Sequence, residues 1–229
     1  NSAYGGGGIL CNSDSVEIRN CLIAYNTANG EYASGGGISC SGNMMLNNVI
    51  IRNNESFGHG GGLSCNYFTN PILDSVIIAQ NLAHDEGGGI SCLYSSSPHL
   101  YKVTIDSNTA YGDGGGIFCW DNSNPCIQDA NIRNNSADQG AGIIADDASP
   151  VIENAILENN VASFRGGGIA IRHNSSPSFK NVLIHSNSAT WGGGIIFLEN
   201  TGAPFISNIS VVKNNASNSG GGMAFDWGN

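Results

Sequence analysis

The segment 87–113, GGGISCLYSSSPHLYKVTIDSNTAYGD, is followed at once by Gly114-Gly115-Gly116-Ile117, and this return to the start decides how the chain is read. A glycine-rich run followed by an apolar residue recurs along the whole chain. That residue is Ile9, Ile38, Leu63, Ile90, Ile117, Ile143, Ile169, Ile195 or Met223, at intervals of 25 to 29 residues. A period near 26 held through nine copies means that each copy is one structural unit, unable to bury its apolar face except against its neighbours. The chain reads as a solenoid.

A second register lies inside the unit. Proline stands at 71, 98, 125, 150, 177 and 204, with Val16 and Met44 in its place earlier. Two residues on comes Ile18, Leu46, Leu73, Leu100, Ile127, Ile152, Phe179 or Ile206. Five on comes Cys21, Val49, Val76, Val103, Ala130, Ala155, Val182 or Ile209, and seven on is always Ile, Leu or Val. A spacing of two is strand alternation, and no helical period appears, so helical repeats are excluded. Ten residues after the proline position stands Asn26, Asn54, Asn81, Asn108, Asn135, Asn160, Asn187 or Asn214. In stacked turns these amides would lie about 4.8 Å apart and form an internal ladder, each tolerating the left-handed backbone of a sharp bend. The expected fold is all-β: a right-handed, single-stranded parallel β-helix of about nine rungs, with three short strands per rung. One domain spans 1–229, a rod roughly 40 Å long. Because it opens at Asn1 almost directly on glycines, the chain is expected to be a fragment of a longer surface or secreted protein, with any export signal outside it.

The paired signals Gly87-Gly88-Gly89-Ile90 and Ile105-Asp106-Ser107-Asn108-Thr109-Ala110 resemble the repeats of chlamydial polymorphic outer-membrane proteins and related bacterial surface β-helix proteins. The resemblance covers nearly the whole chain. It implies a pectate-lyase-like helix and an extracellular or cell-surface location. It implies no single activity, because that scaffold carries adhesins, lyases, hydrolases and stalks alike.

Composition narrows the partners. With 18 acidic against 8 basic residues the net charge is −10, which repels nucleic-acid backbones. No stretch is apolar for long enough to insert as a membrane helix. Unpaired ladder edges at both ends would permit end-to-end self-association.

Five cysteines, Cys11, Cys40, Cys65, Cys92 and Cys119, share one inward column on the strand after the glycines. Parallel side-chain vectors disfavour disulfides between them, so buried free thiols are expected. Cys21 falls in a core column, whereas Cys126 alone is expected to point outward.

Function must then lie on outward columns. One runs just before the glycines: Ser34, His59, Glu86, Asp113, Gln139, Arg165, Trp191 and Ser219. A second, beyond the cysteine position, holds Tyr67, Tyr94, Asp121, Asp147, His173 and Glu199. Between them the floor is Ser39, Ser64, Ser91, Phe118, Ile144, Ala170 and Ile196. Aromatic and acidic walls suit an extended sugar chain, whose rings stack on Tyr and Trp while its hydroxyls bond to carboxylates. The expected ligand-binding residues are Tyr67, Tyr94, Glu86, Asp113, Asp121, Asp147, His173 and Trp191, with a polysaccharide or a cell-surface protein as partner.

The competing reading is a hydrolase or lyase acting on a uronate-containing polysaccharide. Asp121 and Asp147, faced by Asp113, would supply paired carboxylates, and Arg165 and His173 would grip the substrate. Against it, the floor column carries no carboxylate and the turns are short. A third reading is an inert stalk. No cofactor is expected; Asp85, Glu86 and Asp113 could hold calcium, but their spacing matches no calcium loop.

Overall fold

The computed structural model describes residues 1–30, 32–198 and 202–226, so Glu199 lies outside the described residues. Among these residues every regular element is a β-strand, the pairings are parallel, and no helix is long and apolar enough to cross a membrane. The strands that follow the glycines, from Ile9–Cys11 and Ile38–Cys40 to Ile195–Leu198 and Met223–Asp226, stack into one nine-stranded sheet. In that sheet Ile38 lies against Leu63, Leu63 against Ile90 and Ile90 against Ile117, so columns in the sequence are columns in space.

Three sheets run along the solenoid, as expected, but the strands are shared among them differently. The strand after the proline and the strand leading to the asparagine both belong to one 13-stranded sheet. Late in the chain they fuse into the eight-residue strands Val151–Glu158, Ser178–His185 and Phe205–Val212. The residue between them is left-handed, with φ of 57° at Ser75, 51° at Lys102 and 54° at Asp129, which kinks the strand without ending the sheet. The third sheet is built from strands after the asparagine, such as Thr27–Ala28 and Thr109–Ala110, only two residues long in the earlier turns.

The asparagines form the internal ladder. Asn108 Nδ2 donates to Asn135 Oδ1 at 3.0 Å and to the Ile78 carbonyl at 2.9 Å. Its own Oδ1 accepts from both Nδ2 and the backbone N of Asn81, each at 3.0 Å. The same set recurs from Asn54 to Asn187, and Asn1 extends the series by donating to Asn26 Oδ1 at 2.7 Å. The ladder asparagines do not themselves take the left-handed bend. That conformation belongs to the residue before, with φ of 56° at Gln80 and 57° at Ser107. The asparagine's own backbone N–H donates along the ladder, so its backbone is committed to that direction.

The glycines follow from this ladder. A Cβ on Gly62 would lie 2.7 Å from the Gly89 carbonyl oxygen and 3.0 Å from Asn81 Nδ2, so a side chain there would displace the amide it covers. The glycine three residues before the apolar position is left-handed in every turn, as Gly87 is with φ of 72°.

The core is a column of Ile, Leu, Val and cysteine side chains running the length of the solenoid. Cys40, Cys65, Cys92 and Cys119 lie in register, unbridged and buried. Burial first, then the neighbouring thiols, pushes Cys40 up to about 12, so it is a protonated, apolar side chain. Cys21 is a correction to its assignment to the core: it is exposed, and its thiol donates to the Arg19 carbonyl at 3.0 Å. Cys126 alternates with buried Ile127 and so lies on the outer face of its strand, half-buried, but it is not alone outside the core, because Cys21 is exposed.

Candidate functional site

The nine-stranded sheet presents its outer face to a trough. On one side the residues before the glycines stack by backbone hydrogen bonds: Gly60 N to Glu86 O at 2.9 Å, Gly87 N to Asp113 O at 2.9 Å, Gly114 N to Gln139 O at 2.9 Å. On the other side the chain leaves each strand through left-handed residues, with φ of 59° at Tyr67, 55° at Tyr94, 52° at Asp121, 48° at Asp147 and 44° at His173. Asp and His enter that region readily; tyrosine does so at a cost of about 1–2 kcal/mol. Tyr67 and Tyr94 are nonetheless exposed there with their rings stacked, 4.9 Å between centroids and 3° between planes.

The floor is buried beneath these walls. In the earlier turns it is hydroxylic, Ser91 Oγ donating to Ser64 Oγ at 2.8 Å. Further along, Phe118, Ile144, Ala170 and Ile196 form an apolar cluster separate from the main core.

A second outward column lies on the same strands, two residues past the floor: Asn66, Leu93, Trp120, Asp146, Arg172 and Leu198. Sequence reasoning passed over it because its residue types change from turn to turn, although alternation from Phe118 to Trp120 and from Ile144 to Asp146 signals it. It carries the strongest interactions of the trough. Arg172 reaches across two turns, with Nη2 2.8 Å from Asp146 Oδ2 and 3.0 Å from Asp113 Oδ2. His173 Nδ1 lies 2.5 Å from the other oxygen of Asp146. The strand face therefore does hold a carboxylate, Asp146, buried at 7% exposure. Trp120 continues the aromatic row, edge-on to Tyr94 at 5.2 Å.

These groups enclose a cavity of about 310 Å³ lined by His59, Glu86, Tyr94, Trp120, Asp146 and Arg172, among others. A second, of about 340 Å³, adjoins it toward Tyr67, Ser39 and Tyr32 and shares His59, Leu93 and Tyr94 with the first. On the wall, His59 Nδ1 sits 2.6 Å from Glu86 Oε2 and 3.7 Å from Asp85 Oδ2. Burial works against a charged His59, but the two carboxylates outweigh it and raise its pKa; burial likewise opposes ionised Glu86, and His59 outweighs it and lowers that pKa. Burial raises the pKa of Asp113 despite Arg172.

The residues singled out from the sequence are thus divided. Glu86 and Tyr94 line the cavity; Asp113 and His173 join it through Arg172 and Asp146. Tyr67 belongs to the adjoining cavity. Asp121 and Asp147 stack in the outer turn, Asn122 N donating to the Asp147 carbonyl at 2.7 Å, and the Asp121 carboxylate accepts from Asn122 Nδ2 at 3.2 Å instead of facing Asp113. Arg165 lies over the Phe164 ring at 4.5 Å and 3.9 Å from Asp226, away from the carboxylates near Arg172. Trp191 packs on the apolar end of the floor.

Comparison with known proteins agrees with this architecture. A family model described as a right handed beta helix region matches residues 7–154 and again 115–226. No curated protein and no solved structure matches the chain.

Proposed function

Since the chain belongs to the right-handed β-helix family, a scaffold that serves unrelated activities, its function must be argued from its surface, and we propose that the trough binds an extended carbohydrate. The observation that carries this reading is the row Tyr67, Tyr94, Trp120 set along carboxylates Glu86, Asp113 and Asp146. The exposed parts of these rings, repeated at a rung spacing of about 4.8 Å, offer successive apolar contacts to a sugar chain, and carboxylates accept hydrogen bonds from sugar hydroxyls.

A neutral chain fits better than a uronate. Glu86 and Asp146 line the cavity, and its arginine, Arg172, is already shared between Asp146 and a third acid, Asp113. The setting we propose is a bacterial cell-surface or secreted module of adhesin-like character, in keeping with short turns and low charge. A protein partner would use the same trough.

Binding to an array of neutral and uronate oligosaccharides tests this. Binding of neutral chains, weakened by Tyr94→Ala and Trp120→Ala by about 1–3 kcal/mol each, supports it; an array without signal, or one whose signal survives both changes, refutes it.

One observation favours a second reading, hydrolysis or elimination: Asp146 lines the cavity, and Asp113, joined to it through Arg172, has a raised pKa. Release of reducing ends or unsaturated uronate, abolished by Asp146→Asn, would establish catalysis.

A further inference from the structure

We propose that His59, Asp85 and Glu86 form a binding site for a first-row transition-metal dication, with Zn²⁺ the fitting ion, on the trough wall between the third and fourth turns. The inference stands apart from the carbohydrate reading.

Each of the three residues offers one ligand atom, and these atoms all lie within 4.8 Å of one another. Two atoms bound to one zinc ion at about 2.0–2.2 Å can be no more than roughly 4.3 Å apart. The separations of 2.6 Å and 3.7 Å from His59 Nδ1 satisfy that limit, and side-chain rotation that opens the shorter one toward the roughly 3.3–3.5 Å of tetrahedral ligands would admit an ion.

A plain ion pair accounts poorly for the wall. His59 Nδ1 is shielded from solvent and makes no hydrogen bond, although Glu86 Oε2 is only 2.6 Å away. At that distance only the angle can fail, so the carboxylate oxygen lies off the N–H direction. Two other histidine–carboxylate contacts across turns of similar length, His84 Nε2 to Glu55 Oε1 at 2.7 Å and His173 Nδ1 to Asp146 Oδ1 at 2.5 Å, do meet hydrogen-bond geometry. A metal accepting the Nδ1 lone pair removes the conflict, because both atoms then face the ion instead of each other.

The donor set selects the ion. Calcium needs six to eight oxygens, and the third acid that sequence reasoning assigned to it, Asp113, is turned to Arg172 at 3.0 Å. One imidazole nitrogen with two carboxylates suits Zn²⁺ and its first-row neighbours. The position is rigid: Gly60 N donates to the Glu86 carbonyl at 2.9 Å, fixing the two turns in register, and His59 N donates to the Ala33 carbonyl of the turn before at 3.0 Å. His59 and Glu86 also border the 310 Å³ cavity, so water or a ligand could complete the coordination.

Titration of the chelator-treated protein with ZnCl₂ by calorimetry, and with CoCl₂ by visible absorption, tests the site. The expected result is one ion per chain, with a cobalt spectrum of low-symmetry nitrogen and oxygen coordination. Glu86→Gln and His59→Asn should each weaken binding by more than about tenfold, while His84→Asn leaves it unchanged. Circular dichroism establishes that each variant folds. Absence of saturable binding, wild-type affinity in Glu86→Gln or His59→Asn, or loss of binding in His84→Asn overturns the proposal.

Discussion

Replacing Asn108 by alanine removes four hydrogen bonds at once from a fully buried site. The amide gives up its bonds to Asn135 and to the Ile78 carbonyl, and Asn81 loses the acceptor for both its side-chain and backbone N–H. At about 1 kcal/mol net per bond the loss is about 4 kcal/mol, and the groups stranded in a dry interior push it upward. The matched change on the outside is Asn70→Ala, where the exposed Oδ1 accepts one bond, from Ser97 N at 3.0 Å. That substitution should cost under about 1 kcal/mol. Urea unfolding followed by circular dichroism reads the difference: the Asn108→Ala midpoint falls well below that of Asn70→Ala with the slope unchanged. Hydrogen exchange should place the loosening in the turns on either side of Asn108, because a solenoid couples mainly to nearest neighbours. If the two variants unfold at the same midpoint, the ladder is not what joins the turns.

The cysteines give a second expectation. In the native protein a thiol-alkylating reagent should modify exposed Cys21 first and half-buried Cys126 more slowly, leaving the buried column untouched until urea opens it; early modification of Cys65 or Cys92 by mass spectrometry would contradict the packing. A third concerns acid. Burial raises the pKa of Asp106, but hydrogen bonds from Asn134 and Ser107 and the charge of Arg133 outweigh it and lower the value. Its stabilising contribution is therefore complete above the unfolded value of about 3.9 and lost as pH falls through the lower folded value. Over that acid range the wild type should lose stability relative to Asp106→Asn, and parallel stability–pH curves would refute the assignment.

Where a residue repeats, the sequence was enough. Glycine, proline and asparagine recur because stacking imposes the same steric demand on every turn, and that demand displays the period directly. Asn1 escaped notice because no proline or glycine marker precedes it, and it joins the ladder only through its amide. The strands after the ladder were missed for a different reason: Thr27–Ala28 and Thr109–Ala110 are too short for alternation to register. The 13-stranded sheet was divided in two because Ser75, Lys102 and Asp129 take a left-handed conformation that a reader assigns to a turn. The site was the least legible part. Trp120, Asp146 and Arg172 share a column with Asn66 and Leu93, so no repeated chemistry marks it, and Arg172 reaches Asp113 across two turns by side-chain length that no spacing rule records.

The most direct test of the account is the dependence of affinity on ligand length, measured by calorimetry with β-linked neutral oligosaccharides of increasing size. From the turn of Ser39 to that of Arg172 the adjoining cavities extend for roughly 24 Å, a length of about five sugar units. Affinity should rise with each unit added up to that length and then level off. An affinity already complete with one or two units, or no binding at any length, would contradict an extended binding trough.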